Sequence, residues 1–490
     1  PELREALTTA ATNGEDDTII LADGTYKTTD DGVGSFIYIS KESNSLTLEG
    51  AQRENVLLDG DYQNEILNHA STAVDSPLIL KGVSFVNGVS NSSEAGAVNS
   101  NFDITIQDCL FEDNAGDNGG AIHQWSSNKQ LVLNNSIFEN NKASRAGGAI
   151  FTGALLDISN SVFLNNHTLS NNGLNGIGGG AIYSRNLHSS SKSSIINTKF
   201  NENISLSGIG GALNIIDVIL NNVELVGNSS QYDGGAIGGG GLLIKNSLIK
   251  NNSSDSGFGV GFLGASDIVN SIIIYNTSAN NDLAVLQTYG SIVNSLIANN
   301  SAGLKSNAAS IANSVFYANG RFDILFGENG SKTISELYHN YIDTSMLGEY
   351  YLGEGNIFDN VALSFADVDN DNYHLKSTSD LIDAGFTGFV EGVDIPATDM
   401  DGNSRVSGGA IDIGPYEYNP ATVDSDGDGA NDAEDAFPAD PAETIDTDSD
   451  GIGNNADSDD DNDGISDTQE AIDGTNPLVA DTDGDGLTDG

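Results

Sequence analysis

The chain has 490 residues, and its 71 acidic and 18 basic side chains give a formal net charge of −53 at pH 7. A polyanion of this charge repels phosphate and lacks the basic face that nucleic-acid binding needs, so nucleic acid is excluded as a partner. A single Cys excludes both an intrachain disulfide framework and a thiolate zinc cluster. No run of about 18 apolar residues occurs, so the sequence predicts no membrane span.

The first 45 residues predict a cap and the first strands of a larger β structure. Residues 1–11 form a short amphipathic helical stretch without the pattern of a signal peptide, which predicts that a leader precedes them in the natural chain. Because stacked sheets expose edges that must be covered, we expect this helix to cap the first strands. The alternating stretch 16–26 that follows resembles the opening of many secreted right-handed β-helix proteins.

Two motifs repeat through the segment 46–375. The first is an aromatic or aliphatic residue followed three positions later by Asn. It occurs at Phe111/Asn114, Phe138/Asn141, Phe163/Asn166, Phe200/Asn203, Leu225/Asn228, Ile249/Asn252, Ile297/Asn300 and Phe316/Asn319. The second is Gly-Gly-Ala-Ile or Gly-Gly-Ala-Leu, which begins at Gly119, Gly147, Gly179, Gly210 and Gly234. Successive landmarks are mostly about 19–27 residues apart, and a gap of 37 between Phe163 and Phe200 predicts an inserted loop.

Short strands of period two that recur at roughly 24 residues predict a parallel β-helix. In such a coil equivalent residues stack about 4.8 Å apart, so Phe111, Phe138 and Phe163 should form an inward ladder. Asn amides at equal positions can donate and accept along the stack, and Gly-Gly permits a tight corner. A β-sandwich is the alternative all-β interpretation, but its turns recur every 8–12 residues without a longer period.

Residues 376–419 predict the end of the β-helix. The stretches that suggest this are 381–385, 399–405 and 409–418 (Leu-Ile-Asp-Ala-Gly, Asp-Met-Asp-Gly-Asn-Ser-Arg and Gly-Ala-Ile-Asp-Ile-Gly-Pro-Tyr-Glu-Tyr). They resemble the "choice-of-anchor Q" region of bacterial secreted β-helices. The Gly-Gly-Ala-Ile and Phe-x-x-Asn motifs resemble the repeats of chlamydial polymorphic outer-membrane proteins, which are surface adhesins. These resemblances imply an all-β, right-handed parallel β-helix at a bacterial surface, and they specify no activity.

The segment 420–490 contains four Asp-rich loops and, from Asp424 onward, 23 acidic residues and no basic ones. Oxygen-bearing side chains fall at loop positions 1, 3, 5, 9 and 12, Gly stands at position 6, and position 7 offers a backbone carbonyl. This is the ligand spacing of a calcium loop, and hard oxygens in this number favour Ca²⁺ over Mg²⁺. The predicted ligands of loop 1 are Asp424, Asp426, Asp428, Ala430, Asp432 and Asp435, and those of loop 2 are Asp446, Asp448, Asp450, Ile452, Asn454 and Asp457. Those of loop 3 are Asp459, Asp461, Asp463, Ile465, Asp467 and Glu470, and those of loop 4 are Asp481, Asp483, Asp485, Leu487 and Asp489.

The loops begin 22, 13 and 22 residues apart, so loops 1 and 3, and loops 2 and 4, are 35 residues apart, as in a repeat array. No long helical pattern flanks them, which excludes EF-hands. They resemble thrombospondin type 3 repeats, in which closely packed calcium ions replace a hydrophobic core. A solvated acidic tail is the alternative, but it does not explain a Gly at position 6 four times. Loop 4 breaks off at Gly490, which predicts that the natural chain continues.

Secreted β-helices include polysaccharide lyases, so an enzyme of this kind is the alternative function. β-Elimination on a uronic acid needs a cation beside the carboxylate and a basic side chain. Lys142, Arg145 and Arg185 are the weak candidates, and solvated turn residues are their alternative interpretation. The six His form no zinc-binding pair. Trp125 either stacks on a sugar or packs within the coil.

The sequence therefore predicts a secreted or cell-surface calcium-binding β-helix protein that acts as an adhesin, a stalk or a component of an extracellular matrix or filament. Its expected partners are glycans, cell-surface or matrix proteins, or copies of itself. The alternative is a polysaccharide lyase or glycoside hydrolase that acts on an acidic polysaccharide along one face of the β-helix. Extreme acidity and near-absence of Cys favour the extracellular location over an acidic cytoplasmic protein.

Overall fold

The structure is a computed structural model that describes residues 2–490 except 73–74, 93, 170–176, 186–191, 207, 280–283, 307–309, 327–335, 343–350, 353–354, 359–364, 389 and 391–392. Its contacts divide the chain into two compact units. The β-helix unit comprises Pro1–Phe358 and Gly388–Pro396, and the C-terminal unit comprises Asp359–Thr387 and Ala397–Gly490. The division into segments 1–45, 46–375, 376–419 and 420–490 stays a prediction.

The β-helix unit opens with the helix Glu2–Ala10, whose apolar face carries Leu3 and Leu7. Both side chains are buried and belong to the core that continues through the stacked strands. On the polar face Arg4 donates to Asp31 Oδ2 at 2.6 Å. The amphipathic pattern therefore buries one face of this helix against the first strands.

The strands stack in four columns, and every pairing that the structure describes within a column is parallel. Columns A and B form one sheet of 25 strands, because Ser193–Asn201 and Val218–Val226 run through both. The other strands of column A are Asp17–Leu21, Leu46–Gly50, Leu78–Lys81, Ile104–Gln107, Gln130–Asn134, Leu155–Ser159, Leu243–Lys245, Asp267–Val269, Ile292–Val293, Ser310–Ala312, Glu336–Tyr338 and Tyr351–Leu352. The other strands of column B are Gly24–Lys27, Val56–Asp59, Ser84–Val86, Leu110–Glu112, Ile137–Glu139, Val162–Leu164, Leu248–Lys250, Ile272–Ile274, Leu296–Ala298, Val315–Tyr317 and Tyr341–Ile342.

Column C consists of very short strands, and column D of two successive sheets. The strands of column C are Ala115–Asn118, Lys142–Ala146, His167–Thr168, Ile204–Ser205, Ser229–Ser230, Ser253–Ser254 and Thr277–Ser278. Those of column D are Phe36–Ser40, Leu67–Ser71, Val98–Ser100, Ile122–Gln124, Ile150–Thr152, Ile182–Ser184, Leu213–Ile216 and Ile237–Gly240, then Gly261–Phe262, Leu286–Thr288, Leu304–Ser306 and Ile324–Phe326. This architecture is a parallel β-helix, as the motif spacing predicts, and the sandwich alternative is wrong.

The predicted aromatic ladder lies inside the coil. Phe85, Phe111, Phe138, Phe163 and Phe200 are fully buried and stack face to face. Their successive ring centroids are 4.9, 4.7, 4.8 and 4.8 Å apart. The 37-residue spacing between Phe163 and Phe200 is therefore one rung that contains an insertion, and the insertion lies partly outside the described residues.

The predicted Asn ladder runs beside the aromatic one. Asn166 is typical: its Nδ2 donates to Asn203 Oδ1 at 3.0 Å and to the backbone oxygen of Phe138 at 2.9 Å. Its own Oδ1 accepts from the backbone N–H and the Nδ2 of Asn141 at 3.1 and 2.9 Å. The same pattern repeats from Asn114 to Asn319, all at buried positions. Each amide thus satisfies backbone groups that the chain buries at this corner.

The Gly-Gly corners need glycine for two different reasons. At Gly147 φ is +62°, a left-handed conformation that side chains rarely adopt. At Gly148 a Cβ would lie only 1.9 Å from the backbone oxygen of Gly180 in the next rung. The first Gly therefore provides the angle and the second permits close approach of adjacent rungs.

The C-terminal unit contains little regular structure. It has the antiparallel pair Phe365–Asp367 and Asn372–Leu375, the 3-10 helix Val368–Asn370 and the seven-residue helix Asp467–Asp473. Its interior includes an ion pair between Arg405 and Glu417, whose Nη1 and Oε1 atoms lie 3.0 Å apart and whose side chains are almost fully buried. Burial and the neighbouring Asp412 raise the pKa of Glu417 to about 7.

Candidate metal centre

The four acidic loops share one backbone geometry. In each loop the carboxylates at positions 1, 3 and 5 converge, so that one oxygen of each lies within 4.8 Å of the others. The N–H at position 6 donates to the position 1 carboxylate, as from Gly464 to Asp459 Oδ2 at 3.2 Å. The N–H at position 7 donates to the position 5 carboxylate, as from Ile465 to Asp463 Oδ1 at 2.8 Å. These two bonds occupy one oxygen of the carboxylate at position 1 and one of the carboxylate at position 5, and they hold the loop backbone in a tight turn.

The glycine at position 6 has a positive φ in every loop. The angles are +104° at Gly429, +93° at Gly451, +98° at Gly464 and +93° at Gly486. A residue with a Cβ would be strained in this conformation. The sharp turn that the spacing predicts is therefore present four times.

Buried carboxylate oxygens that accept no hydrogen bond lie at three of the predicted ligand positions. They are Asp446 Oδ1 and Asp459 Oδ1 at position 1, Asp426 Oδ2, Asp448 Oδ2 and Asp461 Oδ2 at position 3, and both oxygens of Glu470 at position 12. Burying an unpaired carboxylate is strongly unfavourable, so a bound cation would stabilise the loops at these atoms. Because the donors are all hard oxygens, the residues present fit Ca²⁺.

The pKa shifts agree with this geometry. Burial raises the pKa of Asp426, Asp461 and Glu470, and nearby carboxylates raise it further. For Glu470 those neighbours are Asp461 and Asp463 of the same loop. A divalent cation among these groups would favour their charged forms instead.

The position 9 residues brace the loop backbone. Asp432, Asn454, Asp467 and Asp489 each accept a hydrogen bond from the backbone N–H of position 2. Each also donates its own N–H to the carbonyl of the residue that precedes the loop. A direct bond from position 9 to an ion, and from the carbonyls of Ala430, Ile452, Ile465 and Leu487, stays a prediction.

Position 12 differs between the loops. Glu470 is fully buried with both oxygens unpaired. Asp435 Oδ1 accepts the N–H of Phe437 at 2.8 Å, and Asp457 Oδ1 accepts the N–H groups of Ser458 and Asp459 at 2.6 and 3.1 Å. Loop 3 therefore has the more available carboxylate at this position.

Two residues that the loop spacing did not point to hold loop 1 in place. The Tyr418 hydroxyl donates to Asp432 Oδ2 at 2.9 Å, and the Thr444 hydroxyl donates to Asp428 Oδ2 at 2.8 Å. The backbone N–H of Ala430 and this Thr444 bond lower the pKa of Asp428. Neither residue has a fixed spacing from the loop motif, so sequence alone gave no signal for them.

The three candidate catalytic cations lie on two columns of the β-helix unit. Lys142 and Arg145 belong to the strand Lys142–Ala146 of column C, and Arg145 Nη1 lies 3.6 Å from Asp117 Oδ2. Arg185 follows a strand of column D, with its guanidinium carbon 6.0 Å from the Tyr183 ring centroid. A cleft of about 470 Å³ lies beside Asp117, and none of the three cations is among its lining residues.

Trp125 is 55% exposed, and its ring stacks on Phe151 with the centroids 5.0 Å apart. Phe151 in turn stacks on Tyr183 at 5.0 Å. Trp125 therefore both packs on the coil and presents one face to solvent. Of the six His, His188 lies outside the described residues. In the part of the chain that the structure describes, convergent groups of three or more His, Cys, Asp or Glu ligands occur in the four loops.

Comparison with known proteins identifies one part of the chain. Residues 459–480 match the family model "Bacterial TSP3 repeat". This segment begins at loop 3, and the match supports calcium binding by the acidic loops. No curated protein sequence matches the chain. None of the helices in the described ranges has the length and apolar character that crossing a membrane requires.

Several solved structures of polysaccharide lyases are partly similar to this chain. The PL6 family alginate lyase AlyGC has a TM-score of 0.38 and 14% identity over 76% of this chain and 55% of that enzyme, so the chain spans about half of its length. A mannuronic acid specific family 6 lyase from human gut microbiota has a TM-score of 0.37 and 11% identity over 74% of this chain and 91% of the other. Pectate lyase Pel9A has a TM-score of 0.31 and 12% identity over 84% and 90%.

Proposed function

We propose that this protein is a secreted or cell-surface calcium-binding β-helix protein that acts as an adhesin, a stalk or a component of an extracellular matrix or filament. The observation that carries the proposal is the set of buried, unpaired carboxylate oxygens in the acidic loops. Extracellular calcium-binding modules bind their ions with Kd values of about 10⁻⁴–10⁻³ M, which external calcium can saturate. The loops would then be ordered outside the cell.

The β-helix unit supplies the binding surface in this proposal. Its corners expose polar amides in register: Asn222 Nδ2 donates to Asn197 Oδ1 at 2.8 Å, and Asn197 Nδ2 donates to Asn160 Oδ1 at 3.2 Å. A regular array of amide donors and acceptors suits repeated hydroxyl groups of a glycan, a matrix protein or a second copy of the chain. Trp125 adds an exposed aromatic face of the kind on which sugar rings stack.

A binding assay with and without calcium tests the proposal. The full chain is applied to a glycan array and to a bacterial-aggregation assay, once with calcium and once with chelator. We expect glycan binding or aggregation. If the exposed face of Trp125 contacts sugar, Trp125→Ala should lose glycan binding, whereas Tyr289→Ala, the exposed aromatic control, should retain it. The absence of binding and aggregation under all conditions would contradict the proposal. Release of unsaturated uronate from alginate or pectate, measured by ultraviolet absorbance, would instead support the lyase alternative.

A further inference from the structure

The outer face of column D carries an aromatic cluster that consists of Trp125, Phe151 and Tyr183. Phe151 and Tyr183 lie outside the main core, because the residues that precede them, Ile150 and Ile182, point into it. Their two rings stack with the centroids 5.0 Å apart, and both side chains are buried. Trp125 stacks on Phe151 at 5.0 Å with 22° between the ring planes, and it is 55% exposed. The buried rings therefore hold the indole in place while one of its faces meets solvent.

Arg185 lies beside this cluster, two rungs from Trp125. Each of these two residues directly follows a strand of column D, and Gly153 has the same position in the rung between them. The backbone N–H groups of Gly153 and Arg185 donate to carbonyls of the preceding rung at 3.0 and 3.4 Å, which keeps the three residues in parallel register. Gly153 contributes no side chain between the other two. Two rungs span about 10 Å, which is about the length of a disaccharide.

The indole and the guanidinium lie over adjacent rings of the cluster. Trp125 stacks on Phe151, and the guanidinium carbon of Arg185 lies over the Tyr183 ring, 6.0 Å from its centroid. Because Phe151 and Tyr183 are themselves stacked, an exposed aromatic face and a positive charge are brought to neighbouring places on one surface.

The positive charge of Arg185 is not matched by an acidic side chain. Acidic residues outnumber basic ones by 71 to 18, yet among the residues that the structure describes no carboxylate pairs with Arg185. By contrast, Arg145 Nη1 lies 3.6 Å from Asp117 Oδ2, and Lys199 Nζ lies 2.9 Å from Glu224 Oε1. Arg185 is exposed, and its N–H groups form a planar fork that matches a carboxylate. It can therefore pair with an anionic group from another molecule.

We propose that Trp125 and Arg185 form a binding subsite for an acidic glycan, in which a pyranose ring stacks on the indole and the carboxylate of a uronic acid residue pairs with the guanidinium. An exposed indole offers a flat apolar face to the ring. A carboxylate is the planar anion that arginine binds through two parallel N–H groups. This inference rests on the glycan binding in the proposed function, to which it adds the class of glycan and a role in binding for Arg185.

Tryptophan fluorescence tests the subsite, because Trp125 is the only Trp of the chain. The full chain with excess calcium is titrated with tetragalacturonate and tetramannuronate, and with the neutral counterparts galactotetraose and mannotetraose. We expect an acidic tetrasaccharide to change the fluorescence saturably and to bind about tenfold or more tightly than its neutral counterpart, because only the acidic sugar pairs with Arg185. Added sodium chloride should weaken the binding of the acidic sugar, since the pair is exposed.

Variants of Arg185 assign the preference for acidic sugar to this side chain. Arg185→Gln removes the charge, and Arg185→Lys keeps the charge but loses the planar fork. We expect Arg185→Gln to weaken the binding of the acidic tetrasaccharide about tenfold without changing that of the neutral one, and Arg185→Lys to give an intermediate affinity. Lys41→Gln is the matched control, because Lys41 is an exposed cation that also follows a strand of column D, and it should retain the wild-type affinity.

Three results would overturn the inference. They are equal affinity of wild type and Arg185→Gln for the acidic tetrasaccharide, equal affinity of the wild type for acidic and neutral sugars, and no fluorescence response to any of the four tetrasaccharides. A response to a tetraglutamate peptide and to neither uronate would identify a peptide as the occupant and would overturn it as well. The proposed function would stand after each of these results if the chain bound other glycans or caused aggregation, and only the absence of both would contradict it.

Discussion

The two units of this protein differ in how their buried polar groups are paired. In the β-helix unit, the buried Asn amides of the ladder are paired within the chain, as when the Asn166 amide bonds to the rungs on both sides. In the C-terminal unit, buried carboxylate oxygens such as those of Glu470 find no partner in the chain. The comparison indicates that the first unit carries its own stabilising contacts, whereas bound cations would stabilise the second.

The largest expected effect is a difference in how the two units respond to calcium. Calcium should raise the thermal stability of the C-terminal unit and leave that of the β-helix unit unchanged. Each saturated site stabilises the folded state by about 2.7 kcal/mol at a calcium concentration of a hundred times its Kd. We expect scanning calorimetry to show one transition that rises strongly with calcium and another that does not move. A single transition, or two transitions that shift together, would contradict this division.

The aromatic ladder tests the unit that does not depend on ions. Phe163 is fully buried between Phe138 and Phe200, at 4.8 Å from each ring centroid. Phe163→Ala should reduce the free energy of unfolding by about 3–5 kcal/mol, because it removes both stacking contacts and leaves a cavity. Denaturant unfolding in the presence of calcium measures this.

Phe163→Leu is the matched control for that experiment. Leu225 occupies the position equivalent to Phe200 in the next rung, so the ladder accepts leucine. The leucine variant should lose clearly less stability than the alanine variant. If both variants lost the same free energy of unfolding, the volume of the Phe163 side chain would not be what stabilises this column.

Acid should weaken the β-helix unit through His69. Burial lowers the pKa of His69 from 6.5 to about 4, while its Nδ1 lies 2.9 Å from Ser100 Oγ. Because the unfolded chain binds the proton more readily, stability is fully present above pH 6.5 and is lost as the pH falls towards 4. The full loss from this group is about 3 kcal/mol. The free energy of unfolding of wild type and of His69→Gln, measured between these pH values, isolates the contribution of His69. If the two free energies changed with pH in parallel, a contribution from His69 would be excluded.

The smallest expected effect concerns the turn of a single loop. Gly464 has φ of +98°, and Ala is strained by about 1–3 kcal/mol in such a conformation. Gly464→Ala should therefore weaken calcium binding at loop 3 by roughly tenfold to a hundredfold, as measured by titration. The β-helix transition should not move, which distinguishes a local effect on the loop from general destabilisation.

The sequence predicted the repeating parts of this molecule because their physical causes are themselves periodic. The Phe-x-x-Asn spacing marks the two ladders, and Gly at position 6 marks each acidic turn. A further ladder, of buried Ser hydroxyls, was not predicted, although the sequence contains a signal for it. In Asn-Ser pairs such as Asn246-Ser247 and Asn270-Ser271, the Asn has a left-handed backbone conformation and the Ser hydroxyl that follows is buried. In it the backbone N–H of Ser247 donates to Ser271 Oγ at 3.2 Å.

Features that depend on three-dimensional proximity were not predictable in this way. An oxygen at position 9 has the same spacing whether it binds an ion or accepts a backbone N–H, so the brace made by Asp467 could not be distinguished from a ligand. Tyr418 reaches loop 1 from outside any motif.

Hydrogen exchange of the full chain, followed by mass spectrometry with excess calcium and with excess chelator, tests the central claim most directly. The account predicts that chelator removes protection from peptides within 424–490 and leaves the buried strands around Phe111, Phe138 and Phe163 protected. Equal protection of the acidic loops with and without calcium would contradict it.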